Sequence, residues 1–203
     1  MIGKGKSISH GVAALEYDLA KEINGQAVAT EIARHELYGC TGAEMVQEMK
    51  PYHIDFPNVK NNCLRFEVSP SIEESATFTD ADWAELGNDF MQRMGLANHQ
   101  YIIIRHSGTE SKKEQAHLHI LANRVSLSGE LYRDNWIGKK ATEAANAIAK
   151  ERNFVQSQDI GKVNKAEIKE AMDGVLKKMQ GFDFTKFKEE LGKRGFKVRE
   201  ARA

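Results

Sequence analysis

Two segments, YIIIRH at 101–106 and AHLHILANRV at 116–125, constrain this chain more than any other part of its sequence. Both are short and dominated by apolar and β-branched residues. The stretch SGTESKKEQ between them is too polar to continue either, so the pattern predicts an antiparallel hairpin with a long loop. Side chains alternate across a strand, so His117 and His119 leave one face while Leu118 leaves the other. His106, the last residue of the first strand, then falls opposite or beside His117 at the mouth of the hairpin. Three imidazoles converging there form a facial set of nitrogen donors that leaves positions of a divalent ion open to substrate, which is the pattern of a catalytic rather than a structural metal. Two histidines spaced by one residue in a strand also arise by chance. The third, at the other end of the same hairpin, tips the balance, because three of the chain's seven histidines meet in one supersecondary unit.

Around this hairpin the periodicity outlines the remaining elements. Val12, Leu15, Leu19 and Ile23 follow helical spacing, with Gly25 as the expected stop. Thr41 with Glu44 is a capping box opening a short helix through Met45 and Met49 that Pro51 closes. CLRFEVSP reads as a strand with Leu64, Phe66 and Val68 on one side and Arg65 and Glu67 on the other. Thr79 with Asp82 opens an amphipathic helix whose stripe is Trp83, Leu86, Phe90 and Met94, with Gly95 as its stop. Helical patterns follow at 139–152, at 164–180 with Ile168, Met172, Leu176 and Met179 in phase, and at 184–194. The expected fold class is α+β: an antiparallel sheet of about five strands covered by helices, with the histidine hairpin central. Residues 1–137 form the expected core and residues 138–203 a helical C-terminal extension.

Composition bounds the function. With 203 residues, 41% of them hydrophobic, one sizeable core can form. No run of ~18 apolar residues is present and MIGKGKSISHG lacks a signal-type apolar stretch, so a cytoplasmic protein without a membrane partner is expected. Cys40 and Cys63 form no metal or redox spacing and are expected to be reduced thiols. A formal net charge of zero argues by itself against binding nucleic acid. The charge is segregated, however: residues 67–89 hold seven acidic residues and no Lys or Arg, whereas residues 177–203 hold nine Lys or Arg against four acids. A neutral chain of this kind can still present a basic face to DNA, or merely differ in sign between solvated helix faces.

The segment YIIIRHSGTESKKEQAHLHILANRV resembles the histidine-hydrophobe-histidine motif of relaxases, the mobilisation nucleases of conjugative and mobilisable elements. In that motif an apolar strand ending in His is followed by a polar loop and a second strand carrying two further histidines. His106, His117 and His119 match its three metal ligands, and Asn123 and Arg124 match its tail. Upstream, a short N-terminal helix carrying a tyrosine, the strand FEVSP and the capped helix with Trp83 agree in order. The resemblance spans residues 1–135 and is most specific in the histidine segment. One departure is Gly108, where many members carry Asp two residues after the first ligand; Glu67 is the expected replacement for that outer carboxylate.

The resemblance implies a metal-dependent enzyme, with manganese or magnesium first and zinc also compatible. It would nick one strand of DNA at an origin of transfer and remain attached through a 5′-phosphotyrosine, with accessory relaxosome proteins as further partners. Tyr17 fits the nucleophile: its helical phase lies away from the apolar stripe, so the phenol is not claimed by the core. A phenol, with an ordinary pKa of ~10, needs a positive centre or base nearby to attack. His10 ranks second as nucleophile, and Tyr38 and Tyr52 lower. Lys4, Lys6, Arg105, Lys112, Lys113 and Arg124 flank the expected site as phosphate contacts, with Lys186, Lys193, Arg194 and Arg199 further out. Three rivals stand beside this reading: a replication initiator nuclease of the same superfamily, a non-catalytic single-strand-binding module whose histidines hold a structural metal, and a histidine-triad nucleotide hydrolase. The last requires a further histidine where this chain has Leu121.

Overall fold

Period-two alternation along the strands gives the sheet two unlike faces, and each face recruits its own helices. A computed structural model describes residues 1–108 and 115–199. Two compact units are present, Met1–Gln156 and Ser157–Ala203. In the first, β1 (Ile2–Ile8), β4 (Ala29–His35), β5 (Cys63–Ser69), β6 (His99–His106) and β7 (His117–Ser126) form a five-stranded antiparallel sheet in the order β1-β5-β7-β6-β4. The fold class is α+β as the alternation predicts, and the histidine hairpin β6–β7 lies inside the sheet.

One face is apolar throughout. Leu64, Phe66 and Val68 of β5, Ile103 of β6 and Leu118, Ile120 and Ala122 of β7 are all buried. They pack against Trp83, Leu86, Phe90 and Met91 of α4 (Asp80–Arg93) and Ala141, Ala145 and Ile148 of α5 (Ile137–Glu151). The capping box on Thr79 and Asp82 opens α4, and Gly95 just past its end takes the left-handed φ of +71°. Helix α5 rests directly on the backbone of β1, since a Cβ added at Gly3 would lie 2.4 Å from the Ala141 carbonyl oxygen.

The other face carries α1 (Gly11–Leu19) and α2 (Gly42–Met49), which bury Ile8, Cys63, Ile102, Ile104 and Leu121 under Ala14, Leu15, Met45, Val46 and Met49. Gly11 permits the close approach of α1, because a Cβ there would lie 2.6 Å from the Cys63 sulfur. Burial pushes the Cys63 thiol up to about 12, which makes it an inert packing group, and Cys40 is exposed and free. A 3-10 turn (Lys50–His53) containing Pro51 continues α2, and α3 (Ile72–Ser75) is a single capped turn after β5.

One sequence expectation is corrected. Helix α1 ends at Leu19, not at Gly25; Asn24 and Gly25, with φ of 54° and 74°, form the two-residue turn between β2 (Glu22–Ile23) and β3 (Gln26–Ala27). Two consecutive left-handed residues are what such a hairpin requires, and an Asn-Gly pair supplies them more readily than helix continuation. Helix α5, which opens the expected C-terminal extension, supplies apolar residues to the core of the first unit. In the second unit, α6 (Ser157–Leu176) and α7 (Phe184–Lys193) pair through Ala171, Val175, Phe187 and Leu191. Of the residues in phase at 164–180, Ile168, Met172 and Leu176 are exposed and Met179 is partly buried against that cluster. No described helix is long and apolar enough to cross a membrane.

Candidate active site

The β6–β7 register places His106 directly opposite His117, and His119 lies opposite Ile104 on one side and Glu67 on the other. All three histidines therefore share the α1/α2 face. Each ring can offer one nitrogen to a common point, and those three atoms lie within 4.8 Å of one another. The ring centroids of His106 and His119 are 4.4 Å apart. His117 Nε2 and His119 Nε2 are separated by 3.0 Å, about the spacing of neighbouring donors around an ion with ~2.1 Å metal–nitrogen bonds.

The opposite sides of the rings are already engaged. His106 Nε2 lies 2.7 Å from the Asp18 carbonyl oxygen, and His117 Nδ1 lies 3.1 Å from the Gln115 carbonyl oxygen. A carbonyl only accepts, so those nitrogens carry the protons and the remaining nitrogens of His106 and His117 keep free lone pairs. His119 Nδ1 faces the Arg65 guanidinium at 3.3 Å and an Asp18 carboxylate oxygen at 3.8 Å. Burial, reinforced by the neighbouring rings and by Arg65, pushes His119 down to about 2, and burial lowers His106 as well. Both are neutral at physiological pH, the state a metal requires of an imidazole.

Asp18 and Arg65 were not singled out by the sequence. Asp18 sits in the last turn of α1, is 2% exposed, and receives two hydrogen bonds from Arg65, at 2.5 and 3.0 Å. Burial pushes its carboxyl up, against the pull of Arg65. One signal was available: an acid in the last turn of a helix opposes the helix dipole, so it calls for a tertiary partner. The carboxylate that approaches the rings thus comes from α1. Glu67, expected in that role, pairs with Lys4 at 2.9 Å.

Tyr17 is 56% exposed on α1, next to Asp18. Its phenol oxygen receives a 2.7 Å hydrogen bond from Lys21 Nζ, whose charge also acts on His106. His10 caps the far end of α1, seven residues and about 10 Å of helix rise from Tyr17. Lys4, Lys6, Arg65, Glu67 and His119 line an open cavity of about 220 Å³ beside the histidines. Arg105 is not there: it points to the α4 face, pairs with Asp80 at 2.5 Å and donates to Thr30. Neighbouring strand residues face opposite ways, so sharing a strand with His106 could not bring Arg105 to its side.

The motif tail is architectural. Asn123 is fully buried and donates to Gln100 at 2.9 Å while its side-chain oxygen meets His53 Nε2 and the Val125 amide. Arg124 spends its guanidinium on Asn61, Tyr132 and Asp134. Lys112 and Lys113 lie outside the described residues.

A family model for the MobA/VirD2-like relaxase nuclease domain matches residues 17–154. The chain belongs to this family. The matched span begins at Tyr17, takes in Asp18, Lys21 and the three histidines, and runs just past α5. The protein is therefore a relaxase, a DNA-nicking enzyme. The metal-bound structure of the conjugative relaxase TrwC in complex with oriT DNA aligns with 100% of this chain and 93% of that one, at a TM-score of 0.46 and 11% identity. No curated protein sequence matches the chain.

Proposed function

We propose that this relaxase cleaves one DNA strand at an origin of transfer by attack of Tyr17 on a phosphodiester, with a divalent ion, manganese or magnesium, held by His106, His117 and His119. The observation that carries the reading is the ring arrangement: three imidazoles converge while backbone carbonyls hold the far nitrogens of two of them and Asp18 flanks the third. These residues fit such an ion, because each ring can turn one nitrogen to a common point and an Asp18 carboxylate oxygen lies 3.8 Å from His119 Nδ1 on its far side. When bound, the ion polarises the scissile phosphate and offsets charge on the leaving oxygen.

The chain's own residues do the rest. Tyr17 Oη forms the new bond to phosphorus as the bond from phosphorus to O3′ breaks, so the 5′ side becomes a phosphotyrosine and the released O3′ takes a proton. Lys21, in hydrogen-bond contact with the phenol oxygen, stabilises the negative charge that oxygen acquires on losing its proton. Lys6 and Arg65, lining the adjoining cavity, orient the phosphate. Tyr17 is favoured over His10 because the C-terminal end of α1, not its beginning, meets the histidines through Asp18. The phosphotyrosine keeps the energy of the broken linkage, so rejoining needs only attack by the free 3′ hydroxyl.

The test is covalent capture: labelled single-stranded DNA spanning transfer origins is incubated with protein and manganese or magnesium, then resolved by denaturing electrophoresis. A protein-linked band that depends on metal is expected, falling on the order of 10³-fold or more in Tyr17→Phe and in His117→Ala. Capture retained in Tyr17→Phe removes Tyr17 and turns attention to His10. Capture only on replication-origin DNA would make the protein an initiator nuclease.

A further inference from the structure

Trp136 has no role in the site described so far, and its geometry is unusual. It is 80% exposed, whereas the chain's other tryptophan, Trp83, is 2% exposed in the core. Its backbone is left-handed, with φ 58° and ψ 28°, a conformation that bulky residues rarely adopt. A surface tryptophan in such a conformation persists only where its surroundings hold it there. They do: Arg124 binds the Tyr132 carbonyl and the Asp134 carboxylate, and the Lys140 ammonium donates to the Arg133 carbonyl while lying 4.9 Å from the centre of the Tyr132 ring. The turn is built to present the indole to solvent.

Its neighbours are cationic. Trp136 shares an open depression of about 300 Å³ with Lys139, Lys140 and Glu143, and exposed Arg133 precedes it. The location ties this patch to the histidines. Gly138, two residues on, abuts β1: a Cβ there would lie 3.5 Å from the Gly5 carbonyl oxygen. Gly5 is flanked by Lys4 and Lys6, which line the cavity containing His119, and β1 is the edge strand of the sheet. The patch lies at the start of α5, on the other face of the sheet, so a polyanion leaving the histidine cavity would pass Lys4 and Lys6 and round the edge strand β1 to reach Trp136.

We propose that Trp136 is a stacking platform for an unpaired base of the DNA strand that runs from the histidine site across β1, with Arg133, Lys139 and Lys140 holding its phosphates. This rests on the relaxase reading above and adds a base-binding position to it. Stacking on an exposed ring flanked by cations is how single strands are gripped without sequence readout, and a duplex, whose bases are already stacked, cannot use it.

The two tryptophans make the test direct, because buried Trp83 and exposed Trp136 emit at different wavelengths. The full chain carrying Tyr17→Phe is titrated with a mixed-sequence single-stranded DNA of about 20 nucleotides and with its duplex, following tryptophan emission and the anisotropy of labelled DNA. The single strand should quench the solvent-exposed emission and the duplex should not. Trp136→Ala should weaken single-strand affinity by about tenfold, and Trp136→Phe should restore most of it. Binding and Tyr17-dependent capture with unchanged Trp136 emission, or with equal affinity in Trp136→Ala, overturns the platform and leaves the relaxase reading standing. Quenching by single strands in a protein that never captures DNA supports the platform and overturns the tyrosine mechanism instead. No binding of any strand overturns the platform.

Discussion

The two faces of the sheet are made by the same strands and behave as opposites. Along β7, Leu118, Ile120 and Ala122 enter an apolar layer sealed by α4 and α5, whereas His117, His119 and Asn123 interrupt the apolar positions of the other face. A buried polar group is tolerated only when it is satisfied. On the histidine face it is: Asn123 has four partners, Asp18 has Arg65, and the rings have Asp18, Gln115 and one another. The sealed face therefore provides stability, and the satisfied polar face holds the three imidazoles together in one place.

This division can be broken by substitutions on either side. The largest effect belongs to the sealed face: Phe90→Ala removes a fully buried ring packed 5.5 Å from Phe66 and should cost about 3–5 kcal/mol in urea denaturation. Metal affinity of the protein that remains folded should be unchanged. A matching loss of metal affinity would show that the faces are not separable.

Asp18→Asn acts in the opposite direction. It keeps the shape of the side chain but removes the charge facing His119, so manganese affinity by calorimetric titration should fall about 10–100-fold. Affinity equal to that of the parent would return the outer-carboxylate role to Glu67.

A smaller change is expected at the nucleophile. Lys21→Met should slow nicking about tenfold at neutral pH, while Lys21→Arg should recover most of the rate because it restores the cation beside the phenol. Equal rates in Lys21→Met and the parent would remove the ammonium from the mechanism.

The histidine face should also respond to acid in a way the sealed face cannot. His119 and His106 are depressed by burial, so below the ordinary imidazole value of ~6.5 the unfolded chain binds protons that the folded chain refuses. The stability they contribute is thus fully present above ~6.5 and declines as the pH falls, for His119 down to about 2. Metal-free protein should lose on the order of 1 kcal/mol per pH unit between pH 6 and 5 in urea melts on account of His119. A His119→Leu variant should show a shallower decline, and an identical slope would show that His119 takes a proton in the folded state.

Local rules made much of this molecule readable. Alternation at 116–125 determined that His117 and His119 share a face, and capping boxes at Thr41 and Thr79 marked where α2 and α4 begin, because both depend on interactions within a few residues. The expected meeting of His106 with His117 followed from pairing two adjacent strands, and the register agrees. Even at short range, competition misled the reading: the Asn-Gly turn displaced the expected helix end.

Tertiary structure alone decided which groups surround the histidines. Asp18 meets residues 47 and 88 positions away, and Arg124 secures the turn before α5 through Tyr132 and Asp134. Periodicity states which face a side chain takes but not which element will cover that face. The choice between Asp18 and Glu67 beside His119 therefore arose only when α1 docked on the sheet, where burial made a partner for each charge obligatory.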